Sequence, residues 1–579
     1  MSGRLRAWLP LHRGSAAPWN DVNPVRAELF GMERLEQHAA SLAREQHISA
    51  SPPRVASLQR RLEDNAVALL VTRRACSLEL GAGRPIVPAA QWFLDNYHQV
   101  DAQIRECRTD LPPSYYRILP KLAKGPFRGY PRVFELIWAY VAHTDSHLDG
   151  PALSRYLRAY QRIQPLTIGE LWAAPITLRL VLLENLRRLS DQIAFGHQRR
   201  HEANQLADRI LGIDDARPIS LGDIDAHPDD DLPEVFAAQL AKRLRDCDPQ
   251  ITPAIAWLEE RLAKQGTEVD LVVQHAQERQ GASNVTVRNV ITSLRKISEM
   301  DWQDLFEGVS LVDAKLREHP GFSSMDFTSR NLYRTAIEDL SRHSDNSETK
   351  IAEQVLAAST AVPEMPDGPL TETEILRRSD PGWHLLAEGR PAFERKIGYR
   401  QSLKRRISFR PSLSGYIGSL VGVTIGMLAL ALWALGILAE TGDTAPSLAL
   451  WALWSFAALV PASAVAQLLV DRLTGWTVPA AALPGLSLEG GIPTALRTLL
   501  VVPTMLTSSR DDLQEQIEGL EMHFLSGAQG DITFALLTDG LDAPQQDIPG
   551  DTATLALIAT GIQGLNQRYG PGPSGVRFL

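Results

Sequence analysis

Through most of the chain, apolar residues recur three or four positions apart, the spacing that lays one stripe along an amphipathic helix. Leu29, Met32, Leu35 and Leu42 open the pattern. Leu58, Leu62, Ala66, Leu69 and Leu70 carry it through Val55–Glu79, which Gly81, Gly83 and Pro85 should stop. Further helices are expected over Trp92–Arg108, broken at Asp110, Pro112 and Pro113, and over Tyr130–His147, Leu153–Arg162 and Ile168–Phe195. The same spacing returns in Val235–Arg245, Ile255–Arg279, Val285–Met300, Asp301–Arg317 and Met325–His343. No alternating apolar and polar run intrudes, so this region reads as all-α.

The pattern then changes character. Tyr416–Leu438 and Leu448–Val470 are each 23 residues long and contain no Asp, Glu, Lys or Arg. A helix of that length reaches ~35 Å, enough to cross a hydrocarbon core of ~30 Å. Glu440, Gly442, Asp443 and Pro446 suit a polar turn between them, and Pro461 is tolerable inside a membrane helix. Gly418, Gly422 and Gly426 form a stripe of small residues that would let another helix approach closely. Lys404, Arg405, Arg406 and Arg410 precede the first run, while the turn carries only acids, so both flanks are expected in the cytoplasm. The expectation is a transmembrane hairpin in a bacterial inner membrane, multi-pass, with both termini cytoplasmic. The alternative is a buried helical hairpin of a soluble protein.

Beyond the hairpin, Thr498–Thr504 is a short, β-branched apolar run, the mark of a buried parallel strand. An amphipathic helix over Asp511–Phe524 follows, then a second strand over Ile532–Asp539 and a helix over Thr552–Tyr569. This β-α-β-α order starts a doubly wound α/β sheet, in which ligands bind beyond the carboxyl ends of the strands. Those ends are Pro503-Thr504 and Asp539-Gly540-Leu541-Asp542, and only two strands are visible before Leu579.

The chain therefore divides into a loose N-terminus (1–23), a helical domain (24–212), an acidic connector (213–234), a second helical bundle (235–343), a linker with a basic juxtamembrane segment (344–410), two spans (416–438 and 448–470) and a partial α/β domain (484–579). Within the connector, Asp214–Glu234 holds eight carboxylates and three prolines. Arg390–Arg410 is strongly basic and would lie against anionic headgroups.

Composition narrows the function classes. The net charge is −9 and no basic stripe with interleaved aromatics appears, which argues against nucleic acid as a partner. Cys76, Cys107 and Cys247 are far apart and odd in number, which suits a reducing compartment. Met1–Gly14 has no sustained apolar core and is not a secretory signal. His143, Asp145 and His147 resemble a metal cluster, but alternate residues on a helix diverge, and the plainer reading is a solvated helix end. His197 and His201 could share a helix face, yet two histidines leave a ligand set incomplete. Trp92, Tyr97, Tyr115, Tyr116, Tyr130 and Trp138 read as core rather than as ligand stackers.

Several stretches carry a resemblance. Leu496–Ser508, Glu518–Glu521 and Phe534–Asp539 resemble the bacterial cyclic β-1,2-glucan synthases, where they would open a GT-A nucleotide-sugar glycosyltransferase domain. Arg26–Phe30, Trp92–His98, Leu166–Trp172, Asn185–Leu189 and Gly389–Pro391 are similar to that family's N-terminal region. The resemblance covers Pro24 to Leu579. It implies UDP-glucose as donor, a β-1,2-linked glucan chain as acceptor and product, and growth on a protein-linked oligosaccharide. It also implies that Thr504 and Asp539 face the uridine, with Asp542 as a neighbour. A carboxylate at a strand end can accept hydrogen bonds from uracil or ribose, and it can equally cap a turn.

The chain departs from the family in what it lacks. A working GT-A enzyme needs a metal-binding Asp-x-Asp for Mg or Mn, a catalytic base and an acceptor-side motif, and none lies in Leu496–Leu579. No catalytic residue is therefore assigned in this chain, and the missing C-terminal part of the synthase is an expected partner. Tyr569 is the one tyrosine raised as a glucan attachment point, against the plainer reading of a helix-end tyrosine before Gly570 and Pro571. The reading is the N-terminal part of a membrane-bound synthase, inactive alone. The alternative is a membrane-anchored helical scaffold without catalysis.

Overall fold

The computed structural model describes residues 23–110, 113–212, 231–245, 252–360, 371–400, 413–440, 447–477, 483–488, 490–505, 509–527, 529–540, 550–573 and 575–579. The expectations for the N-terminus up to 22, most of the acidic connector, the basic run 401–412, the turn at 441–446, Cys247 and Asp542 lie outside those residues. The described parts of 1–318 and 334–400 form one compact unit, and those of 319–333 and 401–579 form a second.

The first unit is built from α1 (Met32–Glu45), α2 (Leu58–Gly81), α3 (Pro88–Asp95), α4 (Tyr97–Asp110), α5 (Pro113–Ile118), α6 (Arg132–His143), α7 (Gly150–Gln161) and α8 (Ile168–Leu211). It continues with α9 (Glu234–Arg245), α10 (Thr252–Lys264), α11 (Val269–Glu299), α12 (Trp302–Val309) and α13 (Leu311–Leu316). The short α14 (Pro320–Ser323) belongs to the second unit. Next come α15 (Phe327–Arg342), which the unit boundary crosses, α16 (Glu348–Thr360), α17 (Glu372–Ser379), α18 (Pro381–Leu385) and α19 (Arg390–Lys396).

Helix α8 is the axis, 44 residues long, and α2, α4, α6, α9 and α11 pack along it. Its start is over-determined. The Thr167 hydroxyl accepts from Glu170 N, and the Glu170 carboxylate accepts from Thr167 N at 2.9 Å, a capping box that satisfies two orphan donors. That same carboxylate is gripped by both arms of Arg132 at 2.6 and 2.7 Å, with both side chains buried. Ile168 N donates to Glu348 at 2.7 Å. Further along, Ala203 and Ala207 lie against Ala237 and Ala241 of α9, where small side chains let the helices close.

Several boundaries differ from the periodicity, among them the end of α8, which runs past Phe195 to Leu211, and three have a local reason. Trp92–Arg108 is two helices, because Asn96 turns its amide onto Trp92 O at 2.9 Å and ends the first. Ile255–Arg279 breaks at Gly266, whose φ of +76° ends α10, while α11 runs unbroken past Gly281 because Val287, Val290, Ile291 and Leu294 are buried beyond it. Asp301–Arg317 splits where the Ser310 hydroxyl caps α13 by accepting from Asp313 N.

The solvated helix end expected at His143–His147 is corrected. Asp145 and Ser146 are buried, at positive φ, beneath α11. Thr286 Oγ1 donates to Asp145 at 2.7 Å, Asn289 donates to its carbonyl, and Ser293 Oγ donates to Ser146 O. The turn is a polar staple between α6, α8 and α11. His143 is stacked on Phe30, ring centroids 3.8 Å apart. Of the aromatics read as core, Tyr97 and Tyr130 are buried and Trp92 is exposed. Cys76 and Cys107 are buried free thiols, and burial pushes the Cys107 thiol up to about 12.

Glu348 gives this unit a pH signature. Burial first, then the charges of Glu338 and Glu170, raise its carboxyl to about 7, although the Ile168 amide pulls the other way. The folded chain thus holds a proton that the unfolded chain releases above about pH 4.5. The contribution of this group is fully present below that pH and is lost as pH rises through 7, by up to about 3 kcal/mol. Glu348→Gln should remove this slope, so variant and wild-type melting temperatures diverge from pH 5 to pH 8. Parallel profiles would contradict the assignment.

In the second unit, α20 (Leu413–Glu440) and α21 (Leu448–Thr477) form an antiparallel pair, long and apolar enough to cross a membrane. Apart from their mutual contact both are open: Trp433, Phe456, Val460 and Leu468 are exposed. A buried soluble hairpin would need a cover that the described residues do not supply. The contact itself runs along Ala462, Ala466 and Val470, four apart on α21. The glycine stripe of α20 faces away: a Cβ added at Gly418, Gly422 or Gly426 would meet nothing beyond its own helix within 4 Å. Tyr416 OH donates to Asp471 at 2.7 Å and ties the open end of the pair.

Candidate functional site

The site predicted from sequence lies at the carboxyl ends of two strands, β1 (Thr498–Met505) and β2 (Ile532–Asp539), separated by α22 (Arg510–Leu525) and followed by α23 (Asp551–Tyr569). The strands are parallel, with Thr498 opposite Ile532 and Met505 opposite Asp539. Side chains alternate along a strand, so Leu500, Val502, Ile532, Phe534 and Leu536 share one face. On that face α22 and α23 supply Leu520, Phe524 and Leu565 to a core closed by Phe534 and Phe578. On the other face Leu499, Val501, Met505 and Leu537 are exposed. A parallel sheet is normally covered on both sides, and among the described residues these side chains on the second face stay exposed.

The sequence shows two strands, and the structure adds the start of a third. Phe534 N donates to Arg577 O at 2.9 Å, Leu579 N to Phe534 O at 2.8 Å, and Leu536 N to Leu579 O at 2.9 Å. Residues 577–579 thus run parallel to β2 on the side away from β1. The only sequence signal was the short Val576–Leu579 run after a Gly/Pro turn, too brief for periodicity to register.

The register decides what the predicted residues can do together. Thr504 is half-buried opposite Thr538, on the helix-covered face. Asp539 is exposed opposite Met505, one position further on, and points to the uncovered face. Both lie at the same edge, but they flank it from opposite sides rather than converging on one point. Asp539 has no ion pair among the described residues. Gln516 Nε2 donates to Met505 O at 3.1 Å and holds the end of β1 against α22.

Tyr569 stands away from that edge. Its hydroxyl donates to Glu521 at 2.6 Å, and its ring packs on Phe524 and Phe578 at centroid distances of 4.9 and 6.0 Å. Among the described residues no group of three His, Cys, Asp or Glu is placed to hold a metal.

Sequence reasoning missed how the chain reaches this sheet. Residues 485–487 pair with 324–329 before β1 begins: Asp326 N donates to Gly485 O at 3.1 Å, Ser487 N to Ser324 O at 2.9 Å, and Gly485 N to the buried Ser329 hydroxyl at 2.6 Å. Ile492 then pairs with Gly530, and a Cβ on Gly530 would lie 2.1 Å from Ile492 N, so only glycine fits there.

A scan of protein-family models finds no match. A curated protein does match: the cyclic beta-(1,2)-glucan synthase NdvB of Rhizobium meliloti is 35% identical over 551 residues. The chain is similar to an N-terminal portion of this glucan synthase. The match takes in 94% of this chain and 19% of NdvB, so the chain spans about a fifth of the length of the curated relative. Similarity to NdvB extends through the helical unit, the apolar pair and the short parallel sheet, since so little of the chain falls outside it.

Proposed function

We propose that this chain is the part of a cyclic β-(1,2)-glucan synthase that anchors the enzyme in the membrane and begins its donor site. In this reading α20 and α21 cross the bilayer with both ends in the cytoplasm. The sheet that follows takes up the nucleotide of UDP-glucose, and the completed enzyme transfers glucose with inversion to a glucan hydroxyl. The observation that carries the reading is the strand arrangement: β2 lies between β1 and residues 577–579, all parallel, with Asp539 at the carboxyl edge. Doubly wound sheets bind nucleotides at that edge. Placement of aromatic residues supports the membrane part. Tyr416 and Trp476 stand at one end of the pair and Trp433, Trp451 and Trp454 towards the other, as interfacial belts do.

The chain's own chemistry here is binding. Asp539 accepts hydrogen bonds from the uracil or ribose, and Thr504 offers a hydroxyl from the other side of the edge. The acceptor's base and the diphosphate's counter-charge come from the remainder of the synthase. Reconstituted in lipid nanodiscs, the chain should bind UDP weakly in saturation-transfer NMR. Asp539→Asn should weaken binding roughly ten- to a hundred-fold, the worth of a charged hydrogen bond, without changing the fold. Absence of UDP contact in a folded sample would favour a scaffold without nucleotide affinity, and equal binding by the variant would remove Asp539 from the site.

A further inference from the structure

We infer that the outer face of α2 is a seam along which two copies of this chain pair antiparallel. A surface helix normally buries one apolar stripe and turns polar residues outward. Helix α2 does bury its stripe: Leu58, Leu62, Leu69 and Cys76 face inward, and α8, α3 and α4 pack against the helix. It carries a second stripe on the outside. Val67 and Val71 are each 48% exposed and Leu78 is 72% exposed, with Ala75 open between the last two. At 3.6 residues per turn these four share one face with the exposed Arg60, Asp64 and Arg74.

Charge on this face is sorted along the helix. Asp64 precedes the valines and Arg74 follows them, and neither makes an ion pair among the described residues. The neighbouring charges of α2 are engaged within its own unit. Arg61 pairs with Glu184 at 2.7 Å and Glu63 with Arg108 at 2.7 Å. Arg73 stands 4.6 Å over the Tyr97 ring, and Glu79 pairs with Arg84. Asp64 and Arg74 thus bracket the apolar stripe with opposite signs. They lie ~15 Å apart along the axis, too far to meet each other.

A complementary surface must offer a base where α2 offers an acid, an acid where it offers a base, and apolar groups between. A second copy of α2, turned end for end, supplies all three by symmetry. Centred between Val67 and Val71, the pair sets Val67 against the second copy's Val71 and Asp64 against its Arg74. The Arg60 stem covers its Leu78. Each contact occurs twice, as two-fold symmetry requires. The seam from Arg60 to Leu78 is ~27 Å long and one helix wide, which fits a reversible dimer of modest affinity.

The test uses the full chain in detergent, its mass followed by sedimentation velocity. The wild type should show a monomer–dimer equilibrium. Asp64→Arg sets two arginines against each other, and Arg74→Asp sets two acids against each other. Each should weaken the dimer roughly tenfold or more. An equal mixture of the two variants should recover a dimer of wild-type strength, because each supplies the charge that the other lacks. That recovery separates the seam from any loss of fold. A wild type that stays monomeric up to ~100 µM overturns the inference. So does a dimer that both single variants leave unchanged, or a mixture as weak as either variant alone. Shielding of a label at Val71→Cys in a monomer would give the face to another segment of the chain, and overturns it too.

Discussion

Glu184→Ala should cost the helical unit about 3–5 kcal/mol, because it strips the counter-charge from buried arginines. Glu184 lies mid-way along α8, 1% exposed, and accepts from Arg61 at 2.8 and 2.7 Å, from Arg187 at 3.0 Å and from Arg188 at 3.0 Å. Arg188 is itself 2% exposed, lies 5.1 Å from the Trp138 ring, and donates to Asn23 O at 2.8 Å. Burial alone would raise the Glu184 carboxyl. Arg61, Arg187 and Arg188 more than offset this and hold it at about 2.

The sign follows from linkage. A carboxyl depressed in the folded state contributes stability above its unfolded value, near 4.5, and that stability is lost as pH falls towards 2. Thermal unfolding followed by circular dichroism in detergent should show the wild type weakening across that window. The variant, weaker at pH 7, should converge on it at low pH. A loss under about 1 kcal/mol at pH 7 would mean that the arginines are held mainly by their other partners.

Phe534→Ala should be comparably severe for the sheet, about 3–5 kcal/mol. Phe534 is fully buried in the strand that has neighbours on both sides, with Phe524 at 5.9 Å and Phe578 at 6.0 Å between ring centroids. Its backbone also joins residues 577–579 to the sheet. A cavity there loosens the helix layer and the third strand together. Hydrogen exchange should rise in Ile532–Leu536 and 577–579 while α8 stays protected. Unchanged protection in β2 would mean that the sheet takes its order from elsewhere.

The stretches that resembled a known family turn out to be joints of the fold. Leu166–Trp172 holds the capping box and the Arg132 partner, and Trp172 stacks on Phe306 at 4.5 Å. Asn185 accepts from Val25 N at 2.7 Å and, with Arg188, pins the segment ahead of α1. Arg390 of Gly389–Pro391 pairs with Asp339 at 2.6 Å. Long helices were legible because a buried stripe at period 3.6 leaves its mark on composition. The helix break at Asn96 was not, because one side-chain hydrogen bond leaves no periodic trace.

At the sheet edge the strands and their polarity were legible from two apolar runs. Register was not, since a shift of one residue exchanges the faces, and it is register that sets Thr504 and Asp539 on opposite sides. The hairpin was legible by length and lack of charge. Its contact surface was not: glycines signalled close approach on α20, whereas the alanines of α21 make it.

The most direct measurement replaces the matching N-terminal fifth of the Rhizobium meliloti synthase with this chain and follows label from UDP-glucose in isolated membranes. The account predicts labelled cyclic β-(1,2)-glucan from the chimera and little from its Asp539→Asn form. A chimera that inserts in the membrane and folds, yet makes no labelled glucan, would contradict it.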